Sequence, residues 1–76
     1  MEKYLNRSGE SGVTDFEIGD DYIDVKFEGK STIYTYNNYL NGKFHIDNMK
    51  ELAVSGTGLC RYIVGNPSVR NNYKKK

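Results

Sequence analysis

The sequence predicts an α+β fold: a three-stranded antiparallel meander with two or three short helices packed on one face. Three observations predict it. Residues 13–36 alternate apolar and polar side chains in three runs separated by Gly-containing turns. The period then lengthens, and apolar residues recur three and four apart from Met49 onward. The strands come first and the helices follow, which segregates the two kinds of element instead of alternating them. Seventy-six residues suffice for one domain with a modest core.

Residues 1–10 end in a Gly/Ser-rich stretch, Arg7-Ser8-Gly9-Glu10, and read as a mobile lead-in, with Tyr4 and Leu5 able to dock as a short flap. Residues 11–73 form the domain. In the first strand, Val13 to Ile18, Phe16 and Ile18 share one face while Asp15 and Glu17 share the other. Gly19-Asp20-Asp21 turns the chain. In Tyr22 to Glu28, Ile23, Val25 and Phe27 point inward. Gly29-Lys30 suits a two-residue type II′ hairpin, and Ser31 to Tyr36 is the third strand.

The turns set the register. Phe16 falls opposite Val25, Ile18 opposite Ile23, Val25 opposite Tyr34 and Ile23 opposite Tyr36. Cross-strand partners share a face, so Tyr34 and Tyr36 join the apolar side. A slip of one residue would turn them outward as a stacking surface. The opposite face carries Asp15, Glu17, Asp24, Lys26, Ile33 and Thr35 and is predicted wet.

Asn37 to Gly42 is a loop. Lys43 to Ile46 is a candidate fourth strand. Asn48 with Glu51 three residues on has the capping-box spacing, so a helix is expected from Asp47 or Asn48, with Met49, Leu52 and Ala53 as its apolar stripe and Gly56 as its stop. Thr57 is the expected cap of a second helix carrying Leu59, Tyr62 and Ile63. Asn66-Pro67 reads as a cap and first residue of a final turn anchored by Val69 and Tyr73. Residues 74–76 are a basic tail.

Charge is unevenly distributed. Residues 58–76 hold Arg61, Arg70, Lys74, Lys75 and Lys76 and no acid, whereas residues 1–57 hold six basic and ten acidic side chains. A basic end on an acidic body points to an anionic partner. Gly56-Thr57-Gly58 resembles loops that present backbone N–H groups to phosphate, with Arg61 one helical turn beyond. The candidate nucleic-acid-binding residues are therefore Arg61, Arg70, Lys74, Lys75, Lys76, Thr57 and Tyr73.

Other chemistry finds less support. A Cys–His nucleophile would need Cys60, the only cysteine, beside His45, the only histidine, with Asp47 as orienter; a small buried thiol explains Cys60 as well. His45 and Asp47 are too few donors for a zinc site. The acids Asp15, Glu17, Asp20, Asp21 and Asp24 lack the spacing of a calcium loop. A non-catalytic module without metal or cofactor is expected. One cysteine excludes an internal disulfide and fits a reducing cytosol. No apolar run approaches a membrane span, so a soluble cytoplasmic protein is expected.

The pattern Ser11-Gly12-Val13…Ile18-Gly19-Asp20, then Val25-x-Phe27 followed by Tyr34-x-Tyr36, then Asn66-x-x-Val69-Arg70-x-x-Tyr73, resembles the KTSC domain family. That family is named for a domain at the C-terminus of some lysyl-tRNA synthetases and also occurs as small single-domain bacterial proteins. The resemblance spans about residues 11–73 and implies RNA as a partner, through the family's place on synthetases. The other function class is a protein–protein interaction module, docking through outer strand edges or a surface tyrosine.

Overall fold

A computed structural model describes residues 1–9 and 11–76. The fold is α+β, as the patterning predicts. Strands β1 (Glu2–Lys3), β2 (Val13–Ile18), β3 (Tyr22–Phe27), β4 (Ile33–Asn37) and β5 (Lys74–Lys75) form one antiparallel sheet in the order β1-β2-β3-β4-β5. Helices α1 (Asn38–Asn41), α2 (Lys43–Ser55), α3 (Leu59–Gly65) and α4 (Pro67–Arg70) occupy the stretch between β4 and β5.

The central register is the predicted one. Phe16 pairs with Val25, Ile18 with Ile23, Ile23 with Tyr36 and Val25 with Tyr34. The second hairpin is wider than expected, because the ladder stops at Lys26–Ile33 and residues 27–32 are left unpaired across it. Lys30 N–H closes a turn on the Phe27 carbonyl at 3.2 Å, which puts Gly29, at φ 75°, in a left-handed position that favours glycine. The loop widens equally on both sides, so the register survives. In the first hairpin the pairing shifts between Val13 and Asp15.

Burial follows from that register. Ile23, Val25, Phe16 and Tyr36 are buried on one face of the sheet. Against them pack Ile46, Met49 and Ala53 of α2, Leu59 and Ile63 of α3, and Val69 of α4. Each fully buried aliphatic side chain contributes about 1.5–3 kcal/mol. Burial also pushes the Tyr36 hydroxyl well above the ordinary phenol range, helped by the neighbouring Tyr73 and Tyr34. Ile18, expected in the core, is exposed instead; it is the last residue of β2, beside the turn.

Several expectations are corrected. The segment expected as a lead-in supplies strand β1, and Tyr4 docks as the flap reading allowed: it is 3 % exposed, stacks edge-on to Phe16, and accepts the Leu59 N–H at its hydroxyl, whereas Leu5 stays exposed. Glu10 lies outside the described residues. The tail at 74–76 is a paired edge strand, not a free appendage. Tyr34 faces Lys75, Thr35 faces Lys74, and Lys76 exchanges backbone bonds with Ile33.

Lys43 to Ile46 is the first turn of α2 and not a strand, so the helix begins before Asp47. Asn48 caps nothing there; its amide donates to the Tyr62 hydroxyl at 3.3 Å. The working asparagine cap is Asn37, whose side chain accepts the Leu40 N–H at 2.8 Å. Thr57 does not cap α3; Gly58 occupies that position, at φ 84°. Pro67 does open α4, and Gly56 does stop α2 in the left-handed conformation.

The face predicted wet holds one buried carboxylate. Asp24 is 3 % exposed. Thr35 donates its hydroxyl to one carboxylate oxygen, and Lys76 Nζ pairs with the other at 2.9 Å. The β5 strand thereby covers what the three central strands alone would leave in water.

Candidate anion-binding site

Two left-handed glycines shape the junction between α2 and α3. Gly56 N–H closes on the Leu52 and Ala53 carbonyls, satisfying the end of α2. Its backbone is crossed closely by the N-terminal segment: a Cβ at position 56 would lie 2.6 Å from Leu5 Cβ. Arg7 holds the crossing, donating its N–H to the Gly56 carbonyl at 2.7 Å and its Nε to the Ser55 carbonyl at 2.8 Å. Asn6, at φ 52°, then closes the following loop. Its Oδ1 accepts the Ser11 N–H at 3.1 Å and its Nδ2 donates to the Ser11 carbonyl at 3.3 Å.

This crossing brings Ser8 and Ser11 to the start of α3. Together with Thr57, Gly58, Cys60, Arg61 and Val64 they line a cleft of about 360 Å³. The lining includes two serines, a threonine and an arginine, with the Ser11 hydroxyl accepting the Val13 N–H at 3.1 Å, and none of the described lining residues is acidic. Arg61 is exposed at the rim of the first turn of α3. A guanidinium presents five N–H donors in a planar fork, which suits a phosphate or carboxylate group. Cys60 is half-buried and packs against the core.

Of the residues predicted from sequence, the cleft unites Thr57 and Arg61. It does not include the others. Arg70 donates to the Val64 carbonyl at 3.1 Å and so ties α4 back to α3. Lys74 and Lys75 lie on the edge strand, exposed. Lys76 is committed to Asp24, whose hydrogen bond and charge hold the ammonium above its usual range. Tyr73 packs its ring on Tyr34, 4.9 Å between centroids, and on Tyr36 at 6.1 Å. Sequence reasoning missed Ser8 and Ser11. Asn6, a residue that favours local turn bonds, was the available signal that the segment folds back.

His45 belongs to a different cluster. Its Nδ1 lies 2.6 Å from the Tyr62 hydroxyl and its Nε2 3.3 Å from Ser68 Oγ, so its ring joins α2 to α3 and α4. Asp47 pairs with Lys43 at 2.6 Å. Among the described residues no group of three or more His, Cys, Asp or Glu side chains could hold a metal ion, and no helix is long and apolar enough to cross a membrane.

No family model, curated protein or solved structure matches the chain.

Proposed function

We propose that this chain is a non-catalytic, KTSC-like cytoplasmic module that binds an anionic partner, RNA above all, with a backbone phosphate held in the Arg61 cleft. The observation that carries the reading is the lining of that cleft: Arg61 beside Ser8, Ser11 and Thr57, without an acidic residue among the described lining residues. Lys74 and Lys75, exposed on the edge strand, add positive charge for further phosphates. Lys76 is set aside from the candidate site, because its charge is already matched by Asp24.

Binding of this kind is dominated by phosphate contacts and depends little on sequence. For about three phosphates on a single strand, a fourfold rise in salt weakens binding roughly twentyfold. A mixed pool of labelled RNA, titrated by fluorescence anisotropy at low and moderate salt, tests this. Saturable binding at low salt that weakens in this way supports the proposal; no binding at low salt ends it.

A second reading, a protein-docking module, is favoured by Tyr39, 94 % exposed, and Phe44, 73 % exposed. Substituting both with serine would abolish docking to a protein partner and leave RNA binding unchanged.

A further inference from the structure

The apolar side of the sheet carries a row of rings at the margin of the core. Phe27 packs on Tyr34 with centroids 5.3 Å apart, and Tyr34 packs on Tyr73 at 4.9 Å. Tyr36, two residues from Tyr34, is fully in the core. The rest of the row is not: Phe27 and Tyr34 are half-buried and Tyr73 is 38 % exposed. Two lysines flank it. Lys30 Nζ lies 5.9 Å from the centre of the Tyr34 ring, and Lys75 Nζ lies 6.0 Å from that of Tyr73. Both lysines are exposed.

Rings that a core does not finish burying, set between lysines, match what an unpaired base requires. The ring supplies a π-face, and the ammonium groups meet the phosphates on either side. A lysine resting over an exposed ring is weakly held, so an arriving base can displace it from the ring towards a phosphate. The row also adjoins the Arg61 cleft. Ser11 lines that cleft, the next residue, Gly12, accepts the Glu28 N–H at its carbonyl, and Phe27, the first ring of the row, precedes Glu28.

We infer that the ledge formed by Phe27, Tyr34 and Tyr73 stacks an unpaired base, so that the nucleic acid bound by this protein is single-stranded. This rests on the RNA reading above and makes it narrower: duplex RNA offers phosphates but no free base face.

The test compares three RNA ligands of equal length and charge per strand: a uridine-rich single strand, the same strand with abasic positions, and a duplex. Each is titrated against the wild-type chain, Tyr73→Phe and Tyr73→Ala at one low salt concentration. The single strand is expected to bind roughly tenfold more tightly than the abasic strand. Tyr73→Phe keeps that preference and Tyr73→Ala removes it. Ring-proton shifts of Tyr34 and Tyr73 in the wild-type chain, on adding the single strand, give a readout that does not depend on how the alanine variant folds. Equal binding of the three ligands with unmoved ring protons overturns the ledge and leaves phosphate binding standing. Failure of every ligand to bind overturns the RNA reading itself.

Discussion

The two edge strands of the sheet are built alike and held differently. Each has two residues, β1 beside β2 and β5 beside β4. Neither is long enough to be stable through its ladder alone, so each depends on one side chain. For β1 the anchor is Tyr4, whose ring is buried against Phe16 and whose hydroxyl accepts the Leu59 N–H. For β5 it is Lys76, through an ion pair to buried Asp24, aided by the Tyr73 ring. An apolar anchor is insensitive to salt. An ionic one, with its lysine more than half exposed, is screened by salt and competes with other anions. The N-terminal edge is therefore the fixed one. The C-terminal edge, which carries the lysines of the proposed RNA contact, is the one that conditions can loosen.

The largest effect should come from the fixed edge. Tyr4→Ala removes a buried aromatic and should cost about 3–5 kcal/mol in urea unfolding. A loss below 1 kcal/mol would mean that Tyr4 does not hold the strand. Gly56→Ala comes next. The left-handed backbone and the 2.6 Å approach to Leu5 Cβ should together cost roughly 1–3 kcal/mol. Part of that loss comes from displacing the N-terminal crossing that forms the cleft. Tyr4→Phe keeps the ring and leaves the Leu59 N–H without its partner, for about 1 kcal/mol.

The loose edge should respond more weakly and in another way. Lys76→Met leaves Asp24 without its counter-charge and lowers the melting temperature. The gap between variant and wild type should narrow as salt rises, whereas the Tyr4→Ala gap should not. Equal salt responses would erase the contrast between the edges. In pH, the Lys76 ammonium is held above its usual range by Asp24. The stability it contributes is thus complete below the ordinary lysine range and is lost as pH climbs through the raised value. Tyr36 acts in the same direction. Its buried hydroxyl keeps its proton at a pH where the unfolded chain has released it, so stability falls from about pH 10 upward. A flat alkaline stability profile would contradict both.

The edges also mark where sequence reading succeeded. The three central strands were legible because each has several alternating positions and a turn at each end, and the hairpin arithmetic placed Val25 opposite Tyr34 and Ile23 opposite Tyr36. The outer strands were not. Two residues show no period, and Lys74-Lys75-Lys76 reads as a solvated tail until a buried Asp24 is known to need a partner. The start of α2 was hidden for a related reason. Gly42 precedes it and offers no side-chain cap, so the capping pattern at Asn48 pointed well over a turn too far along. Half of the cleft was legible: Thr57 and Arg61 are local to one turn. Ser8 and Ser11 arrive through a crossing whose Arg7–Ser55 bond spans 48 positions, a contact that no local pattern encodes.

The Arg61 cleft is the centre of the proposed RNA contact. Its most direct test is the salt-dependent titration of RNA into wild-type chain and Arg61→Ala, with unfolding by urea measured alongside. Arg61 is exposed and makes no part of the core, so stability should change by less than about 0.5 kcal/mol. Affinity at low salt should fall roughly tenfold, and the slope of log affinity against log salt should lessen by about 0.7, one phosphate's share on a single strand. Unchanged affinity and slope in a fully folded Arg61→Ala chain would contradict the assignment of the cleft.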